Sequence, residues 1–138
     1  MKLFLYRLWQ WSWGLPQSLL GAVIALIFRK CPHAWYQGSY VTVWPLRSSM
    51  SLGMFLFLRQ SWTPQEKALL THEYGHTVQS LLLGPLYLLV IGLPSFLWAG
   101  FAPLVRLRKR KKLPYSWLYT ERWADRCGAK FAKKDLSL

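Results

Sequence analysis

The chain has 138 residues, room for one domain around one modest core. Hydrophobic residues make up 53 % of it, and eighteen Lys and Arg face only five acidic residues, for a formal charge of +13. With the positive charges gathered at the edges of apolar runs, this balance speaks against an ordinary soluble surface and for an anionic membrane surface in preference to nucleic acid. Cys31 and Cys127 stand far apart and outside any CxxC spacing, which argues against a disulfide scaffold and a thiolate zinc site.

The first thirty residues read as two apolar arms, Leu3 to Trp13 and Gln17 to Phe28, around a break at Gly14-Leu15-Pro16. Trp9 to Trp13 interrupt any signal-peptide core, so a retained membrane element is expected. The sixteen residues from Trp13 to Phe28 are short for a complete span. Either a single tilted helix or a shallow hairpin fits, and the hairpin would leave Lys2, Arg7, Arg29 and Lys30 on one face.

Between Cys31 and Trp62 the texture changes. Tyr40 to Trp44 is β-branched and aromatic, Pro45 to Ser51 reads as a turn, and Leu52 to Leu58 is a second apolar run of strand length. The pair is expected to form a small antiparallel hairpin, although the second run also fits a short helix. Either strand would offer an edge to an extended peptide.

A helix is expected from Pro64 to about Leu83. Thr63 serves as N-cap, Pro64 takes the first helical position and Glu66 completes a capping box. This helix carries His72-Glu73-Tyr74-Gly75-His76. Histidines four apart point the same way and suit two imidazole nitrogens on one zinc ion, with Glu73 beside them to take a proton from a metal-bound water.

The twenty-nine residues between His76 and Arg106 carry no charge. Gly84-Pro85 should bend the chain and Gly92-Leu93-Pro94-Ser95 should break it. Each resulting arm of roughly eleven residues would be ~16 Å long, too short for a ~30 Å hydrocarbon core but enough for a re-entrant wedge. The block Arg106 to Lys112 then reads as a flank on anionic lipid and marks the cytoplasmic side.

A last helix, Ser116 to Lys134, carries Glu121 and Asp125 on one face. A hydrolytic zinc site needs a third protein ligand and an open position. The candidates are His33, Glu121, Asp125 and Asp135. Glu121 is the best of them, because Asp125 could then accept the outer N–H of a ligand histidine. His33, beside Pro32, reads as an interfacial residue and Cys127 as packing. For the hydroxyl that steadies a developing oxyanion, Tyr119 is preferred over Tyr115, Tyr74 and His33.

HExGH on one helix and ExxAD on another, across an apolar insertion, resembles the membrane-embedded gluzincin metallopeptidases of the HtpX and CAAX prenyl protease type, as a minimal or divergent relative. The resemblance implies His72, His76 and Glu121 as zinc ligands, Glu73 as general base and Asp125 as support for a ligand. It also implies a zinc-dependent endopeptidase acting on a peptide or membrane protein, in a membrane of the bacterial inner-membrane kind with its site at the cytoplasmic face. The expected fold is a single mainly α membrane domain: arms at 1–30, a β-hairpin at 31–62, the HExxH helix at 63–83, a re-entrant segment at 84–105, a basic linker at 106–113 and the ExxAD helix at 114–138. Two other classes stay open. One is a small membrane adaptor with a structural zinc and a fourth ligand from His33 or Asp125; the other is a nucleic-acid binder using the basic block.

Overall fold

A computed structural model describes residues 3–63 and 65–131, and within them lie six α-helices and a four-stranded sheet. The N-terminal arms are two separate helices, α1 (Leu3–Ser12) and α2 (Leu15–Ile27), with Pro16 in the first turn of the second, where a missing N–H costs nothing. Their polarity is inverted. Gln10, Gln17 and Ser18 are fully buried, whereas Phe4, Leu8, Trp9, Val23, Leu26 and Ile27 are exposed.

The buried amides grip the helix that carries the histidines, α3 (Lys67–Leu83). Gln10 Nε2 donates to the Thr77 carbonyl at 3.0 Å, and Ser80 Oγ donates to Gln10 Oε1 at 2.9 Å. Gln17 Nε2 reaches Ser80 Oγ and the Gly84 carbonyl, both at 2.8 Å. Each of these groups would be costly to bury alone, so together they fix the arms against α3.

The sheet comprises β1 (His33–Tyr36), β2 (Ser39–Val43), β3 (Met50–Leu52) and β4 (Phe55–Leu58), in the order β1-β2-β4-β3. The expected single hairpin is corrected here: β2 and β4 are parallel neighbours, each closed into its own tight antiparallel hairpin, β2 with β1 and β4 with β3. Gln37 and Gly38 both have positive φ in the first turn, and Gly53 supplies φ +60° in the second. Met50 to Leu52 come partly from the stretch read as a turn. Phe55 to Leu58 are buried at every position, as a central strand covered on both faces requires.

α3 starts at Lys67, three residues later than the capping pattern predicts. The Thr63 carbonyl accepts the Glu66 N–H in a turn, and the Glu66 carboxylate pairs with Arg59 at 2.8 Å instead of reaching back to close a capping box. Pro64 lies outside the described residues. His72 and His76 therefore fall in the second and third turns of the helix.

After α3 the chain turns through a 3-10 turn at Gly84–Leu86, made possible by φ +56° at Gly84 with the Trp13 ring packed on it. Beyond it runs a helix of Leu88–Gly100, with a π-helical turn at Leu88–Gly92 passing into α4 (Leu93–Gly100). The expected break at Gly92–Ser95 is thus absent and the sharp bend, 120°, lies at the end of α3. Pro94 is accommodated because it sits in the first turn of α4, and the Val90 carbonyl four residues before it accepts the Tyr119 hydroxyl at 2.8 Å. Among the described residues no single helix is long and apolar enough to cross a membrane; the bent pair Lys67–Leu86 and Leu88–Gly100 has the length and hydrophobicity of a broken or re-entrant one. Extended backbone at Phe101 leads to α5 (Ala102–Arg110), which carries most of the basic block. A 3-10 turn at Tyr115–Trp117 precedes α6 (Tyr119–Phe131). The expected continuation of that helix to Lys134, and Asp135, lie outside the described residues.

Candidate metal centre

α3 and α6 cross at two glycines. A Cβ on Gly75 would lie 1.9 Å from the Ala124 carbonyl oxygen, and one on Gly128 would lie 2.2 Å from that of Thr71. Only hydrogen fits at either place, so the two backbones touch. Gly75 separates the histidines within HEYGH, and Ala124 stands between Glu121 and Asp125. The closest approach of the helices therefore brings the two motifs face to face.

His72, His76 and Glu121 each offer one donor atom, and the three lie within 4.8 Å of one another. Nε2 of His72 is 2.8 Å from Glu121 Oε2, and Nε2 of His76 is 3.2 Å from the same oxygen. The outer nitrogens are held separately. Nδ1 of His72 is 2.6 Å from Asp125 Oδ1, and Nδ1 of His76 is 2.7 Å from Gln79 Oε1. The Gln79 amide is oriented by its other end, which donates to the Thr120 carbonyl at 2.9 Å. When both Nδ1 atoms donate outward, both Nε2 lone pairs face a carboxylate oxygen. That arrangement repels itself unless a proton or a cation lies between them, and two imidazoles with one carboxylate are a donor set for zinc.

The titration of the site carries the same message. Burial pulls the His72 pKa down, but Glu121, Glu73 and Asp125 outweigh it and raise the value to about 9. For Glu121, burial works upward, yet its hydrogen bonds to His72 and His76 hold the carboxyl far below the ordinary carboxylate range. An anionic oxygen and a positive charge are each stabilised by the other.

Glu73 is buried beside these ligands. Its Oε2 is 2.7 Å from Ser51 Oγ on β3. Glu73, His76 and Glu121 share one wall of a cavity of about 500 Å³ bounded by β3, α2 and α4. Two tyrosines line it, Tyr115 and the buried Tyr87, whose hydroxyl donates to the Ser51 carbonyl at 3.1 Å. Burial, and then the charges of Glu73 and Glu121, push the Tyr87 phenol well above its usual pKa, so it stays a donor.

Tyr119, expected as the oxyanion donor, is more than half exposed, and its hydroxyl is bound to Val90 outside the cavity lining. His33 is committed to Thr42 Oγ1 and the Arg29 carbonyl, at 2.9 and 3.0 Å, and its ring stacks on Tyr40. Tyr74 stacks on Tyr6 in the core. Sequence reasoning missed Gln79, Ser51 and Tyr87. Gln79 had a signal, being an amide three places after His76 and so on the same side of the helix. Ser51 and Tyr87 had none, because both reach the site through the fold. Compared with models of protein families, with curated proteins and with solved structures, the chain gives no match.

Proposed function

We propose that this chain is a zinc-dependent peptidase working at a membrane surface. The observation that carries the reading is the convergence of His72, His76 and Glu121 with their outer nitrogens anchored and a buried carboxylate, Glu73, beside them on a cavity wall. Among the described residues a fourth donor does not join the three, which favours a catalytic site with an open position over a structural one.

When bound, zinc supplies an acidified water and a Lewis acid for the scissile carbonyl. The protein does the rest. Asp125 and Gln79 hold the two imidazoles at Nδ1 and keep their Nε2 atoms aimed inward. Ser51 holds the Glu73 carboxylate in place to take the proton of the attacking water and hand it to the leaving amine. Tyr87, protonated and lining the same cavity, is our candidate to donate to a carbonyl oxygen that gains charge, once it is released from the Ser51 carbonyl. The exposed apolar faces of α1, α2 and the 88–100 helix, with the basic block of α5 beside them, support attachment to an anionic bilayer.

The test is metal analysis and peptide cleavage by detergent-purified protein. Wild type should hold about one zinc per chain. Glu73→Gln should keep the zinc and lose hydrolysis, and Glu121→Ala should lose zinc. Full zinc occupancy in Glu121→Ala removes Glu121 from the ligand set; cleavage by Glu73→Gln at the wild-type rate removes the proposed base.

A further inference from the structure

The cavity has a chemical character of its own. Its floor is buried and holds Glu73, His76, Glu121 and Tyr87, whereas its mouth is made by Leu20, Leu46, Leu93 and Phe96, all 45 to 70 % exposed. Leu20 and Leu93 belong to the same helices that turn Leu19, Val23 and Leu89 outward, so the mouth opens within the apolar exterior. Two of the lining hydroxyls are already engaged: Ser49 Oγ accepts the Arg59 N–H, and Ser95 Oγ donates to Thr120. Among the described residues no Lys or Arg lines the cavity.

One wall is backbone. β3 pairs with β4 along one edge, and on its other side the Ser51 carbonyl accepts the Tyr87 hydroxyl. At 3.1 Å that bond is long for an O–H···O contact, whose usual length is about 2.7–2.8 Å. A polypeptide lying along β3 could take the carbonyl from Tyr87 and free the hydroxyl.

We propose that the cavity binds an extended, uncharged, apolar stretch of polypeptide that enters through the Leu20–Leu93–Phe96 mouth and displaces Tyr87 from Ser51. A phospholipid is the poorer occupant, because its phosphate would lie beside the Glu73 carboxylate with no Lys or Arg among the described residues of the lining to hold it. This deepens the peptidase reading and rests on it for the bond cleaved, but the binding step stands separately from cleavage.

The experiment uses zinc-loaded full-length Glu73→Gln protein in nanodiscs, so that a bound peptide is not turned over. The probes are two peptides of equal length with a central benzoylphenylalanine, one of Leu, Val and Ala, the other of Ser and Gln. The apolar peptide should label cavity residues and the polar one should not. Phe96 and Leu93 are each at least half exposed, so Phe96→Lys with Leu93→Lys should leave folding and zinc content intact while cutting labelling about tenfold, because the added charges obstruct an apolar chain. Tyr87→Phe, which removes the competing donor, should raise labelling about threefold.

Equal labelling by the polar peptide, label on α1 instead of the cavity, or unchanged labelling in the double-lysine variant each overturns the proposal. The peptidase reading fails differently: the groove is labelled as expected, but zinc-loaded wild type leaves the apolar peptide uncut. Cleavage confined to polar peptides would keep the peptidase and remove the groove.

Discussion

His72 sits between two carboxylates, Asp125 on one ring nitrogen and Glu121 on the other, and its charge state links pH to both folding and metal binding. In the zinc-free protein its pKa is about 9 against 6.5 in an unfolded chain, so the proton is held more tightly by the folded form. That contribution to stability is complete below pH 6.5 and is lost as pH rises through about 9. Bound zinc would reverse the trend, because a ligating imidazole must give up the proton. Thermal melts of zinc-free protein should therefore fall between pH 6.5 and 9.5, while zinc affinity measured by competition with a chelator should rise over the same range. A zinc affinity independent of pH there would show that His72 is not protonated in the free site. The outer partners can be tested one by one. Asp125→Ala and Gln79→Leu each release an imidazole, and each should weaken zinc binding about 10–100-fold with the fold preserved. Gln79 is the more telling of the two, since it is buried and its amide also ties α3 to the Thr120 carbonyl.

At the scale of elements, the candidate metal centre depends on how closely α3 and α6 can approach. Gly75→Ala would put a methyl group 1.9 Å from a backbone oxygen, which no rotamer change relieves. The helices must separate, at a cost of about 1–3 kcal/mol or more, and the two motifs separate with them. We expect Gly75→Ala and Gly128→Ala to lower both the melting temperature and the zinc occupancy. Gly92→Ala is the control, as a Cβ there meets nothing closer than 3.6 Å. The helix pair was legible because its chemistry is local: histidines four apart, and Glu121 four before Asp125. The first helix start was not, because Arg59, a strand-end residue, draws off the Glu66 that would have closed the capping box. Strand pairing was hidden for a similar reason. Two apolar runs joined by a turn read as a hairpin, and only the tertiary fold shows that Met50 to Leu52 intervene and make β2 and β4 parallel. Pro94 marked a break that the structure does not make, since the carbonyl it leaves free finds the Tyr119 hydroxyl on another helix.

Taken whole, the molecule is polar where its N-terminal helices meet α3 and apolar over much of its exterior. Phe4 is 73 % exposed and Ile27 70 %, while Gln10 and Gln17 are wholly buried. In water such a surface would associate with itself; against lipid it is the solvated face. On the proposed reading the basic residues would supply a second attachment, since Arg106, Lys109, Arg110, Lys111 and Lys112 are all exposed at the end of α5 and just after it. The two contributions respond to different treatments. Neutralising those five residues to Gln should lower binding to vesicles containing phosphatidylserine by about 1 kcal/mol for each charge near the surface, and added salt should mimic the change. Neutral phosphatidylcholine vesicles should bind that variant as they bind wild type. Phe4→Glu with Leu8→Glu should do the opposite: both side chains point away from the core, so zinc content should be kept, but retention on neutral and anionic vesicles alike should fall. Sedimentation with the two kinds of vesicle at low and high salt separates the cases. If the glutamate variant stays as tightly bound as wild type, the α1 face does not lie in lipid.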